Sequence, residues 1–266
     1  MQLLQSALEN PWEFPALRKA LTPDDRLTIV YDRLPQLGQL LKGLLEYLVE
    51  VGIEPSAITI LSAPWDTKQS WLDDLPEDLE EIRCETHNPS NPKELAYLAT
   101  TESGRRLYFN QHLVHADQVI VLCGRRYDPF LGHGGVAGSL FPLYSNEETL
   151  AQLTHRPSLE LPDSRSWPLM EEAVEASWLL GVPFFIQVSE GRDDPIEGIV
   201  AGVVESAQES QRQQDARWRK AIPHAVQTVV ADLTGDPSRH TLQDFADALV
   251  AAGRVLRPRG QILLLT

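Results

Sequence analysis

Residues 27–61 constrain the fold of this 266-residue chain more than any other stretch. Leu27-Thr-Ile-Val-Tyr31 is a short apolar run of β type. Gln36 to Val51 then sets Leu37, Leu40, Leu41, Leu44, Leu45 and Leu48 at helical spacing, and Ala57-Ile-Thr-Ile-Leu61 is a second apolar run. This pattern predicts strand, amphipathic helix, strand. Two strands joined through a helix lie parallel with a right-handed crossover. A parallel pair needs cover on both faces, so the unit points to a layered α/β protein.

The rest of the chain continues the alternation. Strands are expected at Arg105 to Asn110, Gln118 to Leu122, Phe184 to Val188, Ile196 to Val203, His224 to Asp232 and Gln261 to Leu265. Helices are expected at Glu147 to Leu153, Leu169 to Leu180, Glu205 to Ala221 and Thr241 to Val255. Turns are read at Leu233-Thr-Gly-Asp-Pro-Ser238 and Arg257-Pro-Arg-Gly260. Residues 64–104 are less regular, and Asp66, Asp73, Asp74, Glu77, Asp78, Glu80 and Glu81 read as a solvated helix surface rather than a metal site. Pro157, Pro162 and Pro168 interrupt a polar stretch and mark a linker. The expected organisation is an α/β domain over 1–156, a linker over 157–168 and a second α/β domain over 169–266. Both sheets are expected to be largely parallel, with strand-end loops forming a cleft between the domains.

Charge and composition narrow the function classes. A net charge of −15 repels phosphate backbones, so nucleic acid is not an expected partner. No apolar run reaches the roughly 20 residues of a membrane helix, and no secretory signal is expected. Cys84 and Cys123 are the two cysteines, which fits a reducing compartment and a cytoplasmic location. The expected partner is a small molecule; the oligomeric state is not readable.

The site is expected where Gln118–Leu122 empties into Cys123-Gly-Arg-Arg-Tyr-Asp-Pro-Phe-Leu-Gly-His-Gly-Gly-Val-Ala-Gly138. Gly132, Gly134, Gly135 and Gly138 leave backbone N–H groups open to a ligand, and ligands bind at the carboxyl ends of α/β strands. Arg125 and Arg126 beside this loop supply positive charge for an anion. The pattern is neither a phosphate-binding Gly-Lys-Ser/Thr loop nor a Gly-x-Gly-x-x-Gly dinucleotide fingerprint. Asp66 and Asp128 form a candidate carboxylate pair for acid–base work or for a divalent metal, with a helix cap and an Asx-turn as their bland alternatives. His87 reads as structural.

The segment Thr86-His-Asn-Pro-Ser-Asn-Pro-Lys-Glu-Leu-Ala-Tyr-Leu-Ala-Thr-Thr-Glu-Ser-Gly-Arg-Arg-Leu-Tyr-Phe-Asn110, continuing through Gln111-His-Leu-Val-His-Ala-Asp117 to Leu122, resembles the nickel-pincer lactate racemase family. Leu180-Gly-Val-Pro-Phe-Phe-Ile-Gln-Val188, Ile196-Glu-Gly-Ile-Val-Ala-Gly202 and Arg257–Leu265 are similar to its later segments. The resemblance implies the family's α/β fold, with a second domain shorter than is usual, and isomerase chemistry on 2-hydroxy acids. It also implies roles for particular positions. Asp32 and Pro35 match the cofactor-contacting Asp-x-Thr-Arg-Pro signature, one residue short. Asp66 stands at one catalytic histidine position and Asp128 at the other. Gly138 stands where a lysine tethers the nickel-pincer nucleotide, and His155 lies one place beyond the nickel-ligand position. Glycine offers no amine for that bond. The expectation is a divergent member that binds a small anionic organic acid or nucleotide-like ligand without the tethered cofactor. The alternatives are a racemase using an untethered cofactor and a non-catalytic interaction protein.

Overall fold

The computed structural model describes residues 2–66, 68–75, 79, 81–124, 127–128, 132–133, 135–153, 168–181, 183–191, 196–203, 220–233, 237 and 240–266. In chain order its helices are α1 (Gln2–Glu9), α2 (Leu17–Ala20), α3 (Leu37–Glu50), α4 (Gln111–Val114), α5 (Val136–Leu140), α6 (Glu147–Leu153), α7 (Pro168–Leu179) and α8 (Leu242–Gly253). Its strands are β1 (Leu27–Tyr31), β2 (Ile58–Ser62), β3 (Arg83–Thr86), β4 (Leu95–Thr100), β5 (Arg106–Asn110), β6 (Gln118–Gly124), β7 (Tyr127–Asp128) and β8 (Gly132–His133). Four more follow: β9 (Phe184–Glu190), β10 (Ile196–Val203), β11 (Val226–Asp232) and β12 (Leu256–Leu265).

One sheet runs β10-β9-β6-β1-β2-β3. Every pairing in it is parallel except β10 with β9. β1 and β2 are buried at every residue, as strands covered on both faces must be. On one face Ile29, Tyr31 and Leu122 pack with Leu41, Leu44 and Leu48 of α3 and with Leu4 and Leu8 of α1. On the other, Val30, Val121 and Phe185 pack with Leu140 of α5 and with Ala173 and Ala176 of α7. The outcome is the layered α/β architecture read from residues 27–61.

Strand pairing runs across the expected linker. β9 and β10 lie beyond the expected linker, yet they extend the first sheet, with Leu122 opposite Ile186 and Gly124 opposite Val188. Phe184–Val203 therefore belong to the N-terminal unit, because their apolar side chains complete its core. The later unit is the parallel pair β11–β12, packed on α8. The expected linker residues 157–167, and the polar helix expected from Glu205 up to residue 219, lie outside the described residues. Residues 257–260, expected as a turn, are part of β12. They bulge between Val226↔Leu256 and Thr228↔Gln261, where Arg259 takes a φ of 63°. Among the described residues no helix is long and apolar enough to cross a membrane.

Two local contacts fix the elements around the sheet ends. Gly38, in the first turn of α3, lets the turn at Ser70–Asp74 close against the helix. A Cβ there would stand 1.9 Å from Asp74 Oδ2 and 2.7 Å from its Cβ. His87, 2% exposed, ties the end of β3 to the chain beyond α5: its Nε2 donates to the Ser145 carbonyl at 2.9 Å, and its Nδ1 accepts from Asn110 Nδ2 at 3.2 Å. The contact with Asn110 requires the neutral ring, whose proton on Nε2 is assigned from these partners.

Gly38→Ala should cost about 1–3 kcal/mol in urea unfolding, as overpacking does. Adding Asp74→Gly should recover most of it, since the Asp74 Cβ is the rigid part of the clash. Burial, against a smaller opposing effect of the Ser145 carbonyl, holds the His87 pKa below its ordinary value of 6.5. The unfolded chain thus takes up a proton first, and stability falls as pH drops below about 6.5 toward the lowered native value. The melting temperature should fall over that window in the wild type and less steeply in His87→Gln.

Candidate functional site

The chain runs β1 to β3 in one direction across the sheet, and β6, β9 and β10 lie on the other side of β1. The carboxyl ends of β1 and β6 therefore flank the reversal in strand order, where α/β sheets open a crevice. Tyr31 and Asp32 stand at that end of β1 and alternate to opposite faces.

Tyr31 organises the first face. It is 1% exposed, and its hydroxyl donates to Asp66 Oδ2 at 2.7 Å. Trp71 Nε1 donates to the same phenol oxygen at 2.7 Å and lies 3.2 Å from Asp66 Oδ2. Ser62 Oγ completes the phenol's contacts and accepts in turn from Gln69 Nε2 at 2.9 Å. The Gln69 backbone N–H donates to Asp66 Oδ1 at 3.1 Å. Burial first, and the Asp66 carboxylate with it, push the Tyr31 pKa far up, so its hydroxyl remains a donor. Asp66 is thus a carboxylate fixed on three donors, and its bond to the Gln69 N–H resembles the cap expected as its bland alternative.

Asp32 serves the other face. Its Oδ2 accepts from the Gly124 N–H at 3.1 Å and from Ser139 Oγ at 2.8 Å. These two donors bound the glycine loop. Gly135, at φ 136°, bends the chain into α5 in a conformation that side chains avoid. Within the loop, Asp128 pairs with Gly132 and Tyr127 with His133 in a small antiparallel hairpin against which α8 lies. The Asp128 side chain, and Arg125, Arg126, Gly134 and His155, lie outside the described residues.

A cleft of about 640 Å³ opens beside Asp66. The chain after β1 and the turns after β2 form one wall, and the end of β11 with the start of α8 forms the other. Arg33 spans it: its guanidinium lies 4.6 Å from the Trp65 ring centroid, and Nη1 donates to Thr241 Oγ1 at 3.0 Å. Thr241 caps α8 in a capping box with Asp244, donating from both its backbone N–H and its hydroxyl to Oδ2 at 2.7 Å. Asp66, Asp74, Glu190, Asp232 and Asp244 line the cleft, against Arg33 and His240 as its basic groups. That balance repels polyanions. Among the described residues no three His, Cys, Asp or Glu side chains are grouped to hold a metal. Of the expected residues, the structure brings Asp66 to this cleft and places Asp32, Gly135 and Gly138 around the β1–β6 crevice. Tyr31, Trp71, Thr241 and Ser139 were not singled out in the sequence. Tyr31 carried the only signal, a polar-tipped ring closing an apolar strand.

Residues 1–166 match the family model described as the lactate racemase N-terminal domain. The chain belongs to the lactate racemase family. The fold agrees: the lactate racemase apoprotein from Thermoanaerobacterium thermosaccharolyticum superposes with a TM-score of 0.80 at 19% identity, over 99% of this chain and 66% of that one. A Thermotoga maritima protein solved by structural genomics matches with a TM-score of 0.58 at 12% identity, over 85% of this chain and 61% of that one. This family member thus spans about two thirds of the apoprotein's length. No curated protein matches it in sequence.

The tethered cofactor implied by the family resemblance does not fit the residues present. Gly138 carries no amine, Ala137 beside it is buried and apolar, and the Ser139 hydroxyl is directed to Asp32. In this racemase-family protein Tyr31→Phe should cost about 1–3 kcal/mol in urea unfolding, because Asp66 and Trp71 lose their shared partner.

Proposed function

We propose that the chain binds a small polar organic acid in the cleft between the end of its first sheet and the β11–β12–α8 unit, without lysine-tethered nickel-pincer chemistry. The observation that carries this reading is the wall of the cleft. Asp66 is held as an acceptor by Tyr31, Trp71 and Gln69, and Arg33 is held over Trp65 by Thr241. A ligand with one carboxylate answers Arg33, and hydroxyl or ammonium groups answer the fixed carboxylates. The charge balance narrows the expected ligand: a hydroxy acid or an amino acid suits the lining, and a nucleotide with several negative charges does not.

Asp66 also sets the chemistry open to the cleft. A carboxylate is a weak base toward carbon acids. Its three donors fix it in place, so Asp66 serves to orient a hydroxyl or ammonium group.

Thermal melts against a panel of hydroxy acids, amino acids and nucleotides test the reading. Hydroxy or amino acids should raise the melting temperature, nucleotides should not, and Arg33→Ala should remove the shift. Intact mass should equal the sequence mass, with no nickel on elemental analysis. A cofactor adduct, bound nickel, or a shift confined to nucleotides would overturn it.

A further inference from the structure

Two donors converge on a single oxygen in the crevice between β1 and β6. The Gly124 N–H ends β6, and the Ser139 hydroxyl comes from α5 across the glycine loop; they reach Asp32 Oδ2 at 3.1 and 2.8 Å. Ser139 is 4% exposed, so its hydroxyl is committed within the structure. The Gly135 carbonyl lies 2.9 Å from Ser139 Oγ and competes for the same proton. A charged carboxylate is the stronger acceptor of the two. The Asp32 backbone is anchored by its N–H to the Leu122 carbonyl at 2.9 Å, so only rotation of its side chain can vacate the position.

A backbone amide and a hydroxyl aimed at one point form a donor set suited to a carboxylate. The crevice is also where parallel sheets receive ligands. We propose that Gly124 N–H and Ser139 Oγ–H form a carboxylate-binding site that Asp32 occupies from within, so that an outside carboxylate binds there only when Asp32 withdraws. Asp32 is then a positioning residue that closes the stem of the glycine loop and excludes competing anions from it. This goes beyond the ligand reading above and does not depend on it, because the donor pair lies on the opposite face of β1 from Tyr31 and Asp66.

Formate, the smallest carboxylate, is the probe. In Asp32→Ala the Gly124 amide should exchange with deuterium about tenfold faster or more than in the wild type. Sodium formate should slow that exchange and raise the melting temperature beyond an equal concentration of sodium chloride. The wild type should show no formate-specific effect, and Ser139→Ala added to Asp32→Ala should abolish it. If Asp32→Ala does not fold, Asp32→Asn replaces it: formate displaces a neutral amide more easily than a carboxylate, so a formate-specific rise should appear there too. Equal effects of formate and chloride on the variant, or a wild type as responsive as the variant, would overturn the proposal. A failed ligand screen with successful formate rescue would remove the hydroxy-acid reading and leave this one standing.

Discussion

The parallel register between β1 and β6 is the constraint on which the rest of the site depends. It sets Tyr31 opposite Leu122 and carries the chain on so that the Asp32 N–H meets the Leu122 carbonyl. Consecutive residues of a strand leave on opposite faces, so this register sends Tyr31 toward α3 and the turn after β2, and Asp32 toward α5. A slip of one residue would exchange the two faces, burying a carboxylate against leucines and turning the phenol toward the glycine loop. The cost of misplacing that carboxylate and phenol guards against the slip, since apolar side chains line both faces of β1.

From that register two polar assemblies grow. On one side Tyr31, Trp71 and Gln69 converge on Asp66, with Ser62 behind the phenol; on the other Gly124 and Ser139 converge on Asp32. Carboxylates held in this way act first as organisers of structure. The cleft's other charges reinforce the same theme, with Arg33 between an indole and the cap of α8. A racemase-family frame is thus retained while its polar groups are bound to one another, and Gly138 takes the place at which the family resemblance implies a cofactor-bearing lysine.

Much of the frame was legible in the residues. The leucines of Gln36 to Val51 gave α3 within a residue at either end, and the apolar runs gave β1, β2, β6, β9 and β10. β3 and β4 escaped notice because Arg83–Thr86 and Leu95–Thr100 carry no fully buried face and lack a clear apolar alternation. The bulge at 257–260 read as a turn because Pro258 and Gly260 carry turn chemistry whether the chain reverses or merely kinks. The prolines mark an interruption in local structure, whereas the pairing of β9 and β10 with the first sheet across them is a long-range matter.

The sequence by itself determined the α/β class, the parallel βαβ unit and the glycine-rich exit from β6, because these follow from periodicity and backbone freedom over short stretches. It also carried the family likeness. Only the tertiary structure decided which strands share the sheet, that Asp66 is held by Tyr31, and that Asp32 closes the glycine loop. The partners of those carboxylates lie up to 107 residues away in the chain, as for Asp32 and Ser139. Local pattern carries no information about such a pairing until packing on both faces of β1 has fixed the register.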